Sequence, residues 1–253
     1  MRKPYELHEV VYRRMRRQGT RSWDETTARK GQRKPPEIDP NEKRFLLDVL
    51  AQPWAPRRGR VIELGCGTAP MLRWLGRRGF SGVGADVSGT AIQMARAQSR
   101  GLGLRFRHAD LCRPLPLKDR TFDLALDGHC LHCITDRRDR KAFLGNVRRL
   151  LRPGGVFIVL TMCGPVDRGE MARVFAGQHL VGRMIYLPCK DASRYEGART
   201  VRGRLCIPTR YIADWRTILR DLREARFDPV LFRYHAPRRG EPTSSLAVAG
   251  AAC

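Results

Sequence analysis

The fold of this chain is most evident from one stretch of its sequence, Val61-Ile62-Glu63-Leu64-Gly65-Cys66-Gly67-Thr68-Ala69-Pro70. It opens with a short apolar run, which predicts a buried strand. Gly65 and Gly67 permit backbone angles and a close approach that a Cβ atom would block, so they predict a tight turn. Pro70 suits the first turn of a following helix, where no hydrogen bond is lost by its missing N–H. The stretch therefore predicts a strand, a glycine turn and the start of a helix.

The alternation of short apolar runs and amphipathic stretches continues beyond this turn. The apolar runs predict strands at residues 61–64, 82–85, 104–106, 122–126 and 156–161. Strands that alternate with helices at this spacing are typical of a parallel sheet built from βαβ units. Order returns near the C-terminus with a predicted helix at 209–225 and strands at 229–234 and 245–252, which a short turn should pair antiparallel. The predicted fold class is α/β, a doubly wound, mostly parallel seven-stranded sheet with an antiparallel last strand.

Two segments do not follow this alternation. Residues 1–45 are polar and arginine-rich, and they predict an N-terminal helical arm that lies over a site as a lid. Residues 46–253 are predicted to form the main domain, beginning with a helix near 42–50. Within it, residues 162–208 show no clear periodicity and interrupt the pattern after the fifth strand, which is typical of a functional insertion or cap.

The composition is strongly basic. The chain of 253 residues has 49 Lys and Arg against 25 Asp and Glu, a net charge of +24, and only seven of its basic residues are lysine. Such a charge attracts anions, including nucleic acid, although biased codon usage also produces arginine. No run reaches the ~20 apolar residues of a membrane span. The absence of a secretory pattern and eight scattered cysteines favour a cytoplasmic protein with reduced thiols.

Carboxylates follow the first three predicted strands. Asp86 ends the second apolar run, nineteen residues after Gly67, where a carboxylate can accept hydrogen bonds from a ribose diol. Asp110 ends the third run, where it could accept from an adenine amino group. With Glu63, they lie at the carboxyl ends of adjacent strands, the edge where open α/β sheets bind ligands. A nicotinamide site fits poorly, because Pro70 stands where the third glycine of G-x-G-x-x-G belongs.

With these motifs the sequence resembles the class I S-adenosylmethionine-dependent methyltransferases. Glu63, Gly65 and Gly67 match the acidic-x-Gly-x-Gly-x-Gly pattern of that family, and Ala69 replaces its last glycine. The resemblance covers residues 60–162 well and 209–252 by strand pattern alone. It implies the cofactor S-adenosylmethionine and a Rossmann-like domain.

The resemblance also assigns cofactor-binding residues. The ribose-binding carboxylate of the family falls on Asp86, and its adenine-site Asp-Leu on Asp110-Leu111. Its fourth strand resembles Phe122–Asp127, and the turn before its fifth strand resembles Leu151–Gly155. The implied cofactor-binding set is Glu63, Gly65, Cys66, Gly67, Asp86, Val87, Asp110, Leu111 and Asp127.

Candidates for acid–base chemistry cluster directly after the fourth strand, in the stretch Asp127–Cys133. Methyl transfer needs a general base only when the acceptor arrives protonated. His129 lies nearest the strand end and is interpreted as a base or orienting group. His132 matches a histidine common in relatives, where it packs. The predicted catalytic candidates are His129, His132 and Tyr211.

The same residues allow two other interpretations. The His and Cys pairs, spaced three apart, suggest soft-metal ligands with Cys163 or Cys189, but no second C-x-x-C exists, so no metal site is predicted. Cys130 and Cys163 also resemble in position the two cysteines of RNA cytosine-5 methyltransferases, although the proline of that motif is missing. An RNA-directed enzyme that uses the basic surface therefore stays the alternative function.

The main hypothesis is a small-molecule acceptor held by the 162–208 insertion and the N-terminal arm. The family commonly shapes its acceptor pocket with this insertion. Arginine and tyrosine residues within and just after this insertion could line the pocket, and the arginines would suit an anionic group such as a carboxylate. They are Tyr186, Arg194, Tyr195, Arg210 and Tyr211.

Overall fold

The computed structural model of the chain describes residues 1–23, 25, 37–236 and 244–252. Its strands are β1 (Gly59–Leu64), β2 (Phe80–Asp86), β3 (Leu104–His108), β4 (Phe122–Gly128), β5 (Leu151–Cys163), β6 (His179–Val181), β7 (Met184–Pro188), β8 (Arg199–Val201), β9 (Arg204–Tyr211), β10 (Phe227–His235) and β11 (Ser244–Ala252). Its helices are α1 (His8–Arg17), α2 (Pro40–Leu50), α3 (Pro70–Gly76), α4 (Gly89–Gln98), α5 (Arg137–Leu150), α6 (Arg168–Val174) and α7 (Trp215–Glu224). Short 3-10 turns occupy Pro4–Leu7, Leu131–Cys133 and Ala192–Arg194.

The described strands form one large sheet in the order β10-β11-β5-β4-β1-β2-β3. The five strands from β5 to β3 run parallel. β11 lies between β5 and β10 and is antiparallel to both. The predicted α/β class with a parallel central sheet is confirmed.

The direction in which strands are added reverses between β1 and β4. The chain adds β2 and then β3 on one side of β1, and afterwards places β4 and β5 on the other side. Such a reversal opens a crevice beyond the carboxyl ends of the two central strands, and open α/β sheets bind their ligands there. The glycine turn after β1 and the loop after β4 both face this crevice.

Two hydrophobic cores cover the two faces of the sheet. Successive residues of β1 point to opposite faces, so Val61 packs with α2, α3 and α4 whereas Ile62 packs with α5 and α7. Five of the seven helices named above begin at a side chain that caps the N-terminus, whereas α1 and α3 have no such cap. Ser88, for example, accepts from Ala91 N–H before α4, and Asp136 caps α5. Caps of this kind contribute ~1 kcal/mol each.

The insertion after β5 is more regular than its sequence pattern indicates. It contains α6 and a small antiparallel sheet in the order β6-β7-β9-β8. The predicted helix at 209–225 is wrong in its first part, because β9 continues to Tyr211 by pairing with β7. The helix begins only at Trp215, after Asp214 accepts from Thr217 N–H. Strands of three to eight residues joined by glycine turns leave too little periodicity to detect from sequence.

The N-terminal helix packs on the domain. Tyr12 and Met15 of α1 are buried and contact Ala91 and Met94 of α4. The predicted boundary at residue 45 falls inside α2, whose apolar residues join the core of the main sheet. Across the described ranges, none of the helices combines the length and the apolar character that crossing a lipid bilayer requires.

Candidate active site

The turn between β1 and α3 is held in an unusual backbone conformation. Gly65, Gly67 and Ala69 have positive φ angles of 74°, 53° and 59°. A Cβ atom on Gly65 would lie 2.5 Å from the Cβ of Cys130, and one on Gly67 would lie 2.3 Å from the hydroxyl oxygen of Tyr12. The turn thus runs close against the loop after β4 on one side and α1 on the other.

Two buried carboxyl groups lie at the ends of the central strands. Glu63 accepts a hydrogen bond from Leu72 N–H at 3.1 Å, and burial raises the pKa of Glu63 to about 8. Asp127 accepts from the backbone N–H groups of Cys130 at 2.6 Å and Leu131 at 3.0 Å. Burial raises the pKa of Asp127 to about 7, although these two bonds oppose the shift. Glu63 therefore ties the first strand to α3, and Asp127 shapes the loop that carries the histidines.

Asp86 lies at the end of β2 and braces the glycine turn. Its carboxylate accepts from Gly67 N–H and from Ser88 N–H, each at 2.8 Å. Burial raises its pKa, and the two backbone bonds act in the opposite direction. Next to it, the carbonyl of Val87 accepts a hydrogen bond from His108 Nε2 at 2.9 Å.

Asp110 follows β3 and contacts the N-terminal segment. It accepts from Cys112 N–H at 2.9 Å, and the hydroxyl of Tyr5 lies 3.1 and 3.2 Å from its two carboxylate oxygens. Leu111 is buried beside it, and its carbonyl accepts from Asn146 Nδ2 at 2.9 Å. No local sequence pattern predicts the contact of Tyr5, because it joins residues 105 positions apart.

A second anchor of the N-terminal segment is Glu9 in α1. Its carboxylate accepts from the hydroxyls of Ser88 at 2.6 Å and Thr90 at 2.7 Å, and from Thr90 N–H at 3.1 Å. Burial opposes ionisation, but these hydrogen bonds outweigh it and lower the pKa of Glu9 to about 2. The ionised carboxylate also lies at the N-terminus of α4, where a negative charge is favoured.

The two histidines after β4 have different surroundings. His129 adopts φ +69°, exposes 41% of its side chain, and bonds through Nε2 to the carboxylate of Glu42 in α2. His132 is buried; its Nδ1 accepts from Met162 N–H at 3.2 Å and lies 3.1 Å from the Thr161 hydroxyl oxygen. Burial, followed by the charge of Arg210, lowers the pKa of His132, so its ring is neutral. Since a backbone N–H can only donate, the hydrogen of this neutral ring is on Nε2.

A cavity of about 520 Å³ joins these groups, within the ~300–1,000 Å³ usual for small-molecule sites. It is lined by every predicted site residue except Asp127 and Tyr211. Asp127 instead holds the loop after β4 by accepting from the N–H groups of Cys130 and Leu131. The ring of Tyr211 packs instead under the Arg140 guanidinium, whose central carbon lies 4.0 Å from the ring centroid.

Of the five arginine and tyrosine residues predicted to line an acceptor site, Arg210 alone borders this cavity. Tyr195 is buried with Ala192 and Ile207 in a separate cluster, and the Tyr186 ring faces the guanidinium of Arg199. The described residues contain no group of three or more His, Cys, Asp or Glu side chains arranged to hold a metal ion. Their seven cysteines are free thiols.

The residues at the carboxyl-terminal edge of the sheet fit S-adenosylmethionine. The glycine turn approaches Cys130 and Tyr12 more closely than a Cβ atom would permit, and Asp86 and Asp110 lie in the wall of the same cavity, where we expect them to accept from ribose and adenine groups. Residues 62–159 match the family model described as a methyltransferase domain. Residues 62–159 are therefore similar to a methyltransferase domain, and together with the sheet topology this similarity is to the class I S-adenosylmethionine-dependent methyltransferases, whose cofactor is S-adenosylmethionine.

Curated relatives support this classification. The chain is 34% identical over 119 residues to a fatty-acid O-methyltransferase of Mycolicibacterium smegmatis, which covers 46% of this chain and 42% of the relative. It is 31% identical over 163 residues to a ubiquinone/menaquinone biosynthesis C-methyltransferase of Vibrio vulnificus, covering 60% and 59%. The chain thus spans about half the length of these curated relatives.

Solved structures share the fold at lower identity. A 1,6-didemethyltoxoflavin N1-methyltransferase of Burkholderia thailandensis, with bound S-adenosylhomocysteine, aligns with a TM-score of 0.62 and 17% identity over 100% of this chain and 91% of its own. An S-adenosylmethionine-dependent methyltransferase of Methanosarcina mazei aligns with a TM-score of 0.63 and 16% identity over 85% and 98%.

Proposed function

We propose that this protein transfers the methyl group of S-adenosylmethionine to a small-molecule acceptor bound in the same cavity. The observation that carries the proposal is the unequal chemistry along that cavity. At one end, Asp110 follows β3, and Asp86 and Glu63 lie in the last two residues of β2 and β1. At the other end, His129 and His132 follow β4. A cofactor held at the end of the cavity with the three carboxyl groups would direct its methyl-bearing sulfur toward the histidines.

The charge of the cofactor suits the acidic end. S-adenosylmethionine supplies a methyl group on a positively charged sulfur, a good leaving group for in-line displacement. Burial raises the pKa of Glu63, and the neighbouring Asp86 and Asp127 raise it further. A positively charged ligand nearby stabilises the ionised form of such carboxyls. The task of the protein is then to align the acceptor with the methyl group and to exclude water.

His129 is the proposed base or orienting residue. Its imidazole reaches the cavity, and its contact with Glu42 stabilises the protonated ring, as a carboxylate does for a catalytic histidine elsewhere. The position of Glu42 is in turn set by Asp39, which caps α2 by accepting from Asn41 N–H at 2.8 Å. His129 can thus remove the proton of an acceptor that arrives protonated and hold it beside Glu42.

Residues 1–45 are proposed to act as the cover of this site. Tyr5, His8 and Tyr12 line the cavity, and Glu9 fastens α1 to the N-terminus of α4. Part of this segment, residue 24 and residues 26–36, lies outside the described residues. The insertion at 162–208 is proposed to border the acceptor side, where Met162 contributes to the lining.

A small-molecule acceptor is favoured over RNA by the way in which several arginines are used. Arg73 is buried and bonds to Glu37 and to the carbonyl of Thr68, and Arg183 donates to the carbonyls of Pro165 at 2.9 Å and Val166 at 3.0 Å. These arginines contribute to the net charge while holding loops in place. The named relatives that act on fatty acids, quinone precursors and toxoflavin precursors point in the same direction.

The proposal is tested by incubating the purified protein with methyl-labelled S-adenosylmethionine and a cell extract, then counting label separately in small molecules, RNA and protein. We expect label in the small-molecule fraction, and much less of it with His129→Ala. Label in RNA, with binding that weakens steeply as salt is added, would instead support the RNA-directed alternative. The absence of label from every fraction would contradict the proposed activity.

A further inference from the structure

Arg210 is the one arginine or lysine among the described residues that line the cavity. It belongs to β9, which packs against both the 3-10 turn Leu131–Cys133 and the 3-10 turn Pro4–Leu7. These two turns carry or precede the imidazoles of His132 and His8, which line the cavity too. One guanidinium and two imidazoles therefore meet at one end of the cavity.

This basic cluster has no acidic partner within the described part of the chain. The one hydrogen bond of the Arg210 side chain runs from Nη1 to the carbonyl of Thr209 at 2.8 Å, and no described carboxylate lies within ion-pair distance. Two glutamates of the cavity wall are engaged elsewhere. Glu42 bonds to His129, and Glu37 bonds to Arg73 and Arg77.

The two imidazoles respond to this uncompensated charge. Burial and then the charge of Arg210 lower the pKa of His8 to about 4, and the same two causes lower that of His132. Because Nδ1 of His132 already accepts from Met162 N–H, its Nε2–H is the group with which it can donate to a ligand. An anion placed here would meet a charged donor and a neutral donor.

We propose that Arg210, His8 and His132 form a subsite for the carboxylate of the methyl acceptor. Arginine favours this group because its planar guanidinium matches a carboxylate with two parallel hydrogen bonds. The wall beside the subsite is apolar, with Ile134, Met162 and the small thiol of Cys133, so the acceptor is a carboxylic acid with an apolar body. The inference rests on the proposed function, since it assigns the substrate class of the same site.

The test uses the whole chain saturated with S-adenosylhomocysteine and two pairs of probes, benzoate with benzamide and octanoate with octanamide. Isothermal titration should detect binding of at least one of the two acids. The protein should bind the corresponding amide roughly 10- to 100-fold more weakly, as for the loss of a charged hydrogen-bond partner. Arg210→Gln should weaken that acid by a similar factor, and Arg210→Lys by less, because lysine keeps the charge without the fork.

The matched control is Arg204→Gln, which removes the same charge from an exposed residue of the same strand, β9, outside the cavity. It should leave acid binding unchanged, and all three variants should bind S-adenosylhomocysteine as the parent does. Equal binding of acid and amide, an unaltered acid affinity in Arg210→Gln, or no binding of either acid would overturn the subsite. If the parent protein did not bind S-adenosylhomocysteine, that result would instead contradict the proposed function.

Discussion

The carboxyl groups at one end of the cavity follow three adjacent strands, whereas the basic groups at the other end come from three segments far apart in the chain. Glu63, Asp86 and Asp110 each stand at the end of an apolar run, so the parallel sheet alone brings them together. His8, His132 and Arg210 meet only because α1 and the insertion fold back over the sheet edge. The cofactor end is thus a property of the core, and the acceptor end a property of its additions.

This contrast predicts that a change in the glycine turn affects stability and cofactor binding together. Gly65→Ala places a methyl group 2.5 Å from Cys130 Cβ at a residue with φ +74°. We expect a loss of ~2–5 kcal/mol in the free energy of unfolding, from backbone strain and overpacking combined. Urea denaturation and titration with S-adenosylhomocysteine measure the two effects.

Gly101→Ala provides the control for that change. Gly101 has a similar φ of +79°, but a Cβ atom there would meet nothing within 4 Å. It should show the strain alone, ~1–2 kcal/mol, and normal cofactor affinity. Equal destabilisation by the two variants would mean that the close approach to Cys130 has no energetic importance.

At the other end of the cavity, substitution of a histidine should lower the turnover rate without changing the affinity for the cofactor. His129→Gln is expected to lower kcat by about 100-fold or more, within the ~10²–10⁴ of general base catalysis, with an unchanged affinity for S-adenosylhomocysteine. His235→Gln, at an exposed position, serves as the control and should retain full activity. Steady-state kinetics would contradict the division of labour if cofactor affinity fell with kcat.

Asp86→Ala tests the acidic end of the cavity, where a substitution should weaken cofactor binding. We expect S-adenosylmethionine to bind ~1.5–3 kcal/mol more weakly, since a charged hydrogen-bond partner is lost. Asp191→Ala removes an exposed carboxylate that makes no side-chain capping bond, and should change nothing. An unchanged cofactor affinity in Asp86→Ala, measured by equilibrium titration, would exclude Asp86 from the site.

The last expected effect is a pH dependence of the free energy of unfolding of the cofactor-free protein. The pKa of Glu63 is raised to about 8 when folded, so between its unfolded value and that pH the folded state holds a proton that the unfolded state has released. The free energy of unfolding should therefore fall as the pH rises through this window. Glu63→Gln should flatten the slope in urea denaturation at several pH values, and an identical slope in both proteins would contradict the burial argument.

The sheet and its strand-end carboxyls were predictable because they depend on local patterns. An apolar run followed by Asp or Glu specifies both the strand and the place where its side chain emerges. The five parallel strands and the turn at Gly65 were predicted in this way and lie where expected.

The acceptor end was less predictable because its contacts are distant in sequence. Glu42 and His129 are 87 positions apart, and no local pattern connects them. Arg210 and Tyr211 were both predicted to line the site, but adjacent strand residues point to opposite sides. The pairing of Ile185 with Arg210, next to the unpaired Thr209 of β9, determines the register at this point, and sequence alone does not reveal it.

The most direct test is a crystal structure of the protein with S-adenosylhomocysteine. We expect the ribose hydroxyls within hydrogen-bond distance of Asp86, the adenine beside Asp110 and Leu111, and the sulfur directed toward His129 and His132. The space in front of Arg210 should stay open for the acceptor. A ligand whose adenine or carboxylate lies against Arg210, or one bound outside this cavity, would contradict the assignment of the two ends.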